Sequence, residues 1–154
     1  MVNGRLNHGL LHPEMGHIRL RAEGSDQGFK GIWPFHDYCL EGLASGPAIK
    51  SRWGLPAEEL PENHPAWLDE AGYLAEGIAN IILVISPEIV VLGGGVMQQD
   101  FLFPMIQEIV QRQLNSYIQR SEIIDQIENY IVPAMLGKQA GLLGAIALAI
   151  KTGE

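Results

Sequence analysis

Ile89-Val90-Val91-Leu92-Gly93-Gly94-Gly95, entered through Ser86-Pro87-Glu88, is the stretch on which the fold turns. A short, unbroken apolar run rich in β-branched residues, with Pro before it and Gly after it, predicts a buried strand. Upstream, Leu68, Ala71, Ala75, Ile78, Ile82 and Ile85 recur at helical spacing, and Pro65 suits a first turn, so a long helix leads into that strand. Downstream, a second helix is expected from about Asp100. Leu102, Ile106, Ile109, Val110 and Leu114 form its apolar face, and Gln107, Glu108, Gln111 and Arg112 its wet one. Tyr130-Ile131-Val132 predicts a second strand, and residues 140–151 a helix so apolar all round that burial is expected for most of it. Two strands joined through a helix favour a parallel, right-handed crossover, hence an α/β layer fold.

Working outward, residues 1–63 carry Gly, Pro and His with only short strand-like runs such as Ile18-Arg19-Leu20, and function is expected in these loops. The whole chain, 1–154, is expected to form one domain, loop-rich over 1–63 and helix-strand-helix-strand-helix over 64–154. Two strands make a thin sheet. Either further strands lie in the first third, or the domain completes itself against another one.

Composition removes several classes of function. A formal net charge of −8, with Lys and Arg scattered along the chain, disfavours a nucleic-acid surface. The single cysteine, Cys39, excludes an internal disulfide framework, and the apolar runs are too short or too interrupted to span a bilayer. A cytoplasmic location is therefore expected, with neither membrane nor nucleic acid as partner. Met1 before Val2-Asn3-Gly4-Arg5-Leu6 is compatible with a short independent reading frame and equally with an expression product.

Chemistry-bearing residues cluster in His12-Pro13-Glu14-Met15-Gly16-His17 and in Trp33-Pro34-Phe35-His36-Asp37-Tyr38-Cys39-Leu40-Glu41-Gly42. Imidazole and thiolate are zinc ligands, and His36 and Cys39 could turn onto one ion with His17 arriving from elsewhere. The spacing equally suits loop histidines beside a buried free cysteine. Glu14 and Glu41 suit solvated surface carboxylates or helix caps as well as ligand contacts. Gly93-Gly94-Gly95 could bring backbone N–H groups close to a phosphate, with the next helix offering its positive end. A tight βα turn explains the same glycines, and no P-loop lysine or complete G-x-G-x-x-G accompanies them.

In combination these segments resemble a known family. Leu11-His12-Pro13-Glu14-Met15-Gly16-His17, then residues 39–49, Cys39-Leu40-Glu41-Gly42 through Ser45-Gly46-Pro47-Ala48-Ile49, then Arg52-Trp53-Gly54, closely resemble the fructokinase branch of the ROK family. Residues 89–96 and 140–145 resemble that family's later motifs in the same order, so the likeness covers essentially the whole chain. It implies an actin/hexokinase-like (ribonuclease H-like) sugar kinase, of which this chain would be the C-terminal half. It further implies that Glu14, His17 and Glu41 hydrogen-bond sugar hydroxyls. Gly93, Gly94 and Gly95 would approach ATP, with Pro47 on its adenine side and Mg accompanying the nucleotide. His17, His36 and Cys39 would ligate a structural zinc.

Two departures qualify the resemblance. Trp33 stands where the family pattern has a cysteine, so one of the four expected zinc ligands is replaced. The D-x-G-G-T phosphate loop and the aspartate base of such kinases do not occur in this sequence. The resemblance implies that both would come from an upstream half, on the same or a separate chain, and that the parent kinase uses fructose or a related hexose. A homodimer is expected, both from the family and from the apolar last helix. The rival expectation is a non-catalytic sugar-binding or dimerisation protein. No helix-turn-helix precedes the matched region in this sequence, so the activity of the related ROK repressors is not expected.

Overall fold

The computed structural model describes residues 7–21 and 28–152; the Met1 to Leu6 segment lies outside them. Two short helices, α1 (Leu40–Leu43) and α2 (Gly46–Trp53), follow the loops, and then comes the long helix α3 (Ala66–Ile85). Strand β1 (Val90–Leu92) leads through a 3-10 turn to α4 (Leu102–Leu114), and the single-turn helices α5 (Ser121–Ile124) and α6 (Ile127–Tyr130) run into β2 (Ile131–Pro133). A last helix, α7 (Ala140–Thr152), closes the order.

Each helix end has a local cause. His64 Nδ1 accepts from the Ala66 amide at 3.1 Å at the start of α3, and the indole of Trp67 donates to the Pro61 carbonyl at 2.9 Å, tying the first turn to the incoming loop. α3 ends at Ser86 in the left-handed region, and Pro87 cannot continue it. α4 ends at Asn115, also left-handed, where an asparagine costs little.

The expected strand pair is present and parallel, with Val90 opposite Ile131, Val91 opposite Val132 and Leu92 opposite Pro133. Val90 and Leu92 pack on the main core while Val91 points the other way and is 57% exposed. The strand is thus covered on one face only, which corrects the expectation of a fully buried one. Among the described residues the first third adds no strand to this sheet; it contributes one antiparallel bridge, Arg19 to Cys39.

The core lies where α3 crosses α4. Ala71, Ala75, Ile78 and Ile82 of the predicted face are buried there, against Leu102, Ile106, Ile109, Val110 and Leu114, but Leu68 of the same spacing faces outward. Gln107 and Gln111 do not lie on a purely wet face. Their amides donate to the carbonyl of Ile131 at 3.0 Å and to that of Ile123 at 2.7 Å, so α4 carries the second strand and the segment before it.

The expectation for the last helix fails in an informative way. α7 forms, but residues 141–150 are exposed throughout, with Leu142 and Ile150 each 66% open. Its apolar surface has no covering layer among the described residues. No helix there is long and apolar enough to cross a membrane.

One buried charge stands inside α3. Glu70 is fully buried, and neither carboxylate oxygen accepts a hydrogen bond from the described residues. Burial pushes its pKa up to about 8, with Arg52 opposing and Asp69 reinforcing the shift. The folded state therefore holds a proton that the unfolded chain releases near pH 4.5, so stability is full below that pH and is lost as pH rises through about 8. The wild-type chain is expected to lose on the order of a few kcal/mol across this window. Glu70→Gln should flatten the loss, as read from denaturant midpoints at pH 5, 7 and 9; a parallel pH dependence in both proteins would contradict the assignment.

Candidate functional site

The loop-rich third is organised around α1 and the face of α3 beneath it. An added Cβ at Gly77 of α3 would lie 2.7 Å from Leu40 Cδ2, so the glycine lets α1 sit directly on the helix. Leu20, Leu43 and Tyr73 form a small second core, joined by Ile18, Phe29, Tyr38 and Leu40. Backbone bonds stitch its segments together: the Leu20 amide to the Tyr38 carbonyl at 2.8 Å, the Leu40 amide to the Ile18 carbonyl at 3.0 Å, and the Ile32 amide to the Gly42 carbonyl at 3.0 Å. The Arg52 guanidinium lies 5.2 Å from the ring of Phe29 and 5.5 Å from that of Tyr73, linking α2, the loop and α3.

Of the predicted sugar-contact residues, the structure pairs His17 with Glu41, while Glu14 lies just before the turn that carries His17, with its carboxylate on His12. Glu14 precedes a 3-10 turn, Met15–His17, in which the His17 amide returns to the Glu14 carbonyl at 2.9 Å. The imidazole Nε2 of His17 lies 3.6 Å from Glu41 Oε2. Gly16 passes so close that an added Cβ would stand 3.1 Å from that same oxygen. His17 is mostly buried, whereas the carboxylates of Glu14 and Glu41 are about half exposed, at 56% and 54%. Half-open carboxylates, each with an imidazole beside it, suit directional bonds to hydroxyl groups. His12, which sequence reasoning did not assign, holds Glu14 through Nε2 to Oε1 at 2.8 Å. Its position two residues before Glu14 was the available signal.

His17, His36 and Cys39 also converge, with one donor atom from each lying within 4.8 Å of the others. His17 Nδ1 and His36 Nε2 are buried without a hydrogen-bond partner among the described residues, and Cys39 is fully buried. The Cys39 sulfur accepts from the Gly42 amide at 3.3 Å. Ligand atoms around a tetrahedral zinc stand roughly 3.3 to 3.8 Å apart, so the three donors fit an ion after a modest contraction. Trp33 packs beside them, its ring centroid 4.3 Å from that of His17, and its indole offers no metal-ligating atom.

The glycine turn lies at the far end of β1. Gly94 adopts φ of +103°, which a side chain would oppose, and Gly93 approaches Ala134 so closely that an added Cβ would stand 3.1 Å from the alanine methyl. Gly93 and Gly94 line a cleft of about 260 Å³ with Leu92, Gln98, Asp100 and Ala134. Gly95 and Pro47 do not line it; Pro47 sits exposed in the first turn of α2. A 3-10 turn, Val96–Gln98, follows the glycines and α4 starts only at Leu102, so no helix N-terminus backs the turn as the sequence suggested.

With this geometry in place, comparison with known proteins is decisive about ancestry. The model of the ROK family matches residues 1–152. The chain belongs to the ROK family. A protein of Pediococcus pentosaceus named fructokinase is 42% identical over 92% of this chain and 47% of its own length. The fructokinase of Zymomonas mobilis is 40% identical over 97% of this chain and 49% of its own length. Among solved structures, the ROK hexokinase of Thermus thermophilus superposes with a TM-score of 0.65 at 27% identity, covering 90% of this chain and 48% of that one. The fold is accordingly α/β, helix-rich with a small parallel sheet, and corresponds to part of an actin/hexokinase-like kinase. The chain spans about half the length of the relatives it matches.

Proposed function

We propose that this chain is the sugar-contacting half of an ATP-dependent hexose kinase of the fructokinase type. What supports the reading is the His17–Glu41 pair, with Glu14 just ahead of the turn that carries His17 and both carboxylates half open, in a chain whose relatives are named fructokinase. Glu14 and Glu41 accept from sugar hydroxyls, and His17 fixes Glu41. The cleft at Gly93 and Gly94 receives part of the ATP, whose phosphates travel with Mg; Pro47 and Gly95 take a place beside it only if the cleft extends on closure.

Phosphoryl transfer needs a base to orient the attacking hydroxyl and donors to stabilise charge on the phosphates. This chain carries neither the D-x-G-G-T loop nor the matching aspartate, so it binds sugar but does not transfer phosphate alone. A base contributes a factor of about 10² to 10⁴, and loss of charge stabilisation removes more. The chain by itself is expected to give no ADP from ATP and fructose in a coupled assay. Fructose at about 100 times its Kd should still stabilise it by about 2.7 kcal/mol. Glu14→Ala and Glu41→Ala should each weaken that binding about 10- to 100-fold, as charged hydrogen bonds are lost. Robust turnover by the chain alone would refute the division of labour. Absence of any fructose response would favour the second reading, a non-catalytic dimerisation protein, which Trp33 among the metal donors also suits.

Zinc, on this reading, is a weakened brace for the sugar loop. His17, His36 and Cys39 would hold it, and its chemistry would be structural, fixing the turn that carries Glu14. Protein purified without chelator is expected to contain clearly less than one zinc per chain, and Trp33→Cys to raise it towards one. Full, chelator-resistant zinc in the wild type would mean that another group supplies the fourth ligand. A cytoplasmic homodimer is the assembly proposed, to be weighed by light scattering at micromolar concentration.

A further inference from the structure

The donor set of His17, His36 and Cys39 is two imidazole nitrogens and one sulfur, all within 4.8 Å of one another. Cys39 is fully buried, and the buried His17 Nδ1 and His36 Nε2 have no hydrogen-bond partner among the described residues. The side chains around them add no fourth ligand. The centroid of the Trp33 ring stands 4.3 Å from that of His17 and 6.3 Å from that of His36, and the two imidazoles meet edge-on at 5.3 Å. At Gly42 the chain passes so tightly that an added Cβ would lie 3.0 Å from the Cys39 sulfur and 3.4 Å from Trp33 Cβ. The carboxylate of Asp37, next to His36 in sequence, is engaged by Lys30 at 3.5 Å, and that of Glu41 faces Nε2 of His17, the nitrogen turned away from the cluster.

We infer that this site selects copper(I), a soft monovalent cation, over zinc. The inference rests on the donor cluster and not on the sugar reading; weak zinc is its counterpart. Coordination number is the first argument. Closed structural zinc sites take four ligands in a tetrahedron, and the described residues offer three. Copper(I) is a filled-shell ion satisfied by three donors, and thiolate is the ligand type that selects it. Charge points the same way. One thiolate neutralises a monovalent cation, whereas zinc would leave a net positive charge among buried groups, and burial of an unbalanced charge is costly. The further anion at hand, Glu41, is half exposed and screened by water. Its oxygen, 3.6 Å from His17 Nε2, favours a proton on that nitrogen and so leaves Nδ1 to ligate, the role of carboxylates behind metal-binding histidines. The Gly42 amide, donating to the Cys39 sulfur at 3.3 Å, holds the third donor in place.

The test titrates the metal-free chain under argon with copper(I) buffered by bicinchoninate and, separately, with zinc buffered by a chromophoric chelator. One copper(I) per chain is expected, bound on the order of 100-fold or more tightly than zinc, with a rise in melting temperature on its addition. X-ray absorption of the wild-type copper complex should show one sulfur and two nitrogens around the metal, a reading that needs no variant to fold. Trp33→Cys, which adds a second thiolate, should raise zinc affinity about tenfold or more and so narrow the preference, while Cys39→Ser and His36→Gln should each weaken copper(I) about tenfold or more. Zinc held as tightly as copper(I), or a copper complex without sulfur in its first coordination sphere, would overturn the inference. So would copper(I) affinity left intact in a folded Cys39→Ser protein. If both metals bind weakly, the copper preference fails and the weakened zinc site stands; if zinc binds tightly at one per chain, both fail. The fructose-induced thermal shift enters neither titration, so the sugar reading stands or falls separately.

Discussion

Helix α3 is buried on two sides, and everything else in the molecule takes its position from that. One side meets α4 through Ala71, Ala75, Ile78 and Ile82, and small side chains there let the two helices approach while the isoleucines fill the gap. The other side receives the loop region at Tyr73 and Gly77. Burial of this kind is worth about 25 cal/mol per Å² of apolar surface, so one fully buried isoleucine contributes about 1.5 to 3 kcal/mol, more than an exposed ion pair at about 0 to 1 kcal/mol. The cost is visible at Glu70. A helix enclosed on two faces has carried one carboxyl into the interior, where it is stable only with its proton.

Glu14, His17 and Glu41, the residues proposed to contact sugar, lie on that platform without belonging to its core. Exposed pairs such as His12 with Glu14 contribute little to stability, about 0 to 1 kcal/mol. Their value is that the carboxylates stay held in place yet half open, able to exchange an imidazole for a ligand hydroxyl at small net cost. What holds the loop is beneath them: the second core, the Arg52 guanidinium among aromatic rings, and backbone bonds from Leu20 and Leu40. The glycine cleft has a different support, the end of β1 and the approach of Ala134. The His17–Glu41 pair and the glycine cleft are therefore separate constructions on one chain.

How far the sequence foretold this depends on which residues set the pattern. The helix at α3 and the face of α4 were legible because their apolar residues recur at a period that only a helix satisfies. The parallel pairing of β1 with β2 followed from an intervening helix. The convergence of His17, His36 and Cys39 was legible as chemistry, though not as distance, since spacing in a loop does not fix where a side chain points. Three features were hidden. Leu68 breaks the α3 stripe because neighbouring layers decide which part of a face is covered. Gln107 and Gln111 turn inward because carbonyls at Ile131 and Ile123 need donors. The short turn Val96–Gln98 separates the glycines from α4, and hydropathy carries no mark of it.

The exposed last helix is the instructive failure, because the physical premise behind it was sound. An all-apolar helix does demand burial, and the demand is a property of its residues alone. Where that burial is supplied is a property of the complete fold, and half of a layered architecture can leave whole faces unmet. Val91 makes the same point from the sheet: a parallel strand is normally covered on both sides, and here the core covers one. Two independent elements, a helix and a strand, thus register the same deficit on a chain that matches half the length of its relatives. Periodicity identifies what must be buried, and only the count of available layers decides whether one chain can bury it.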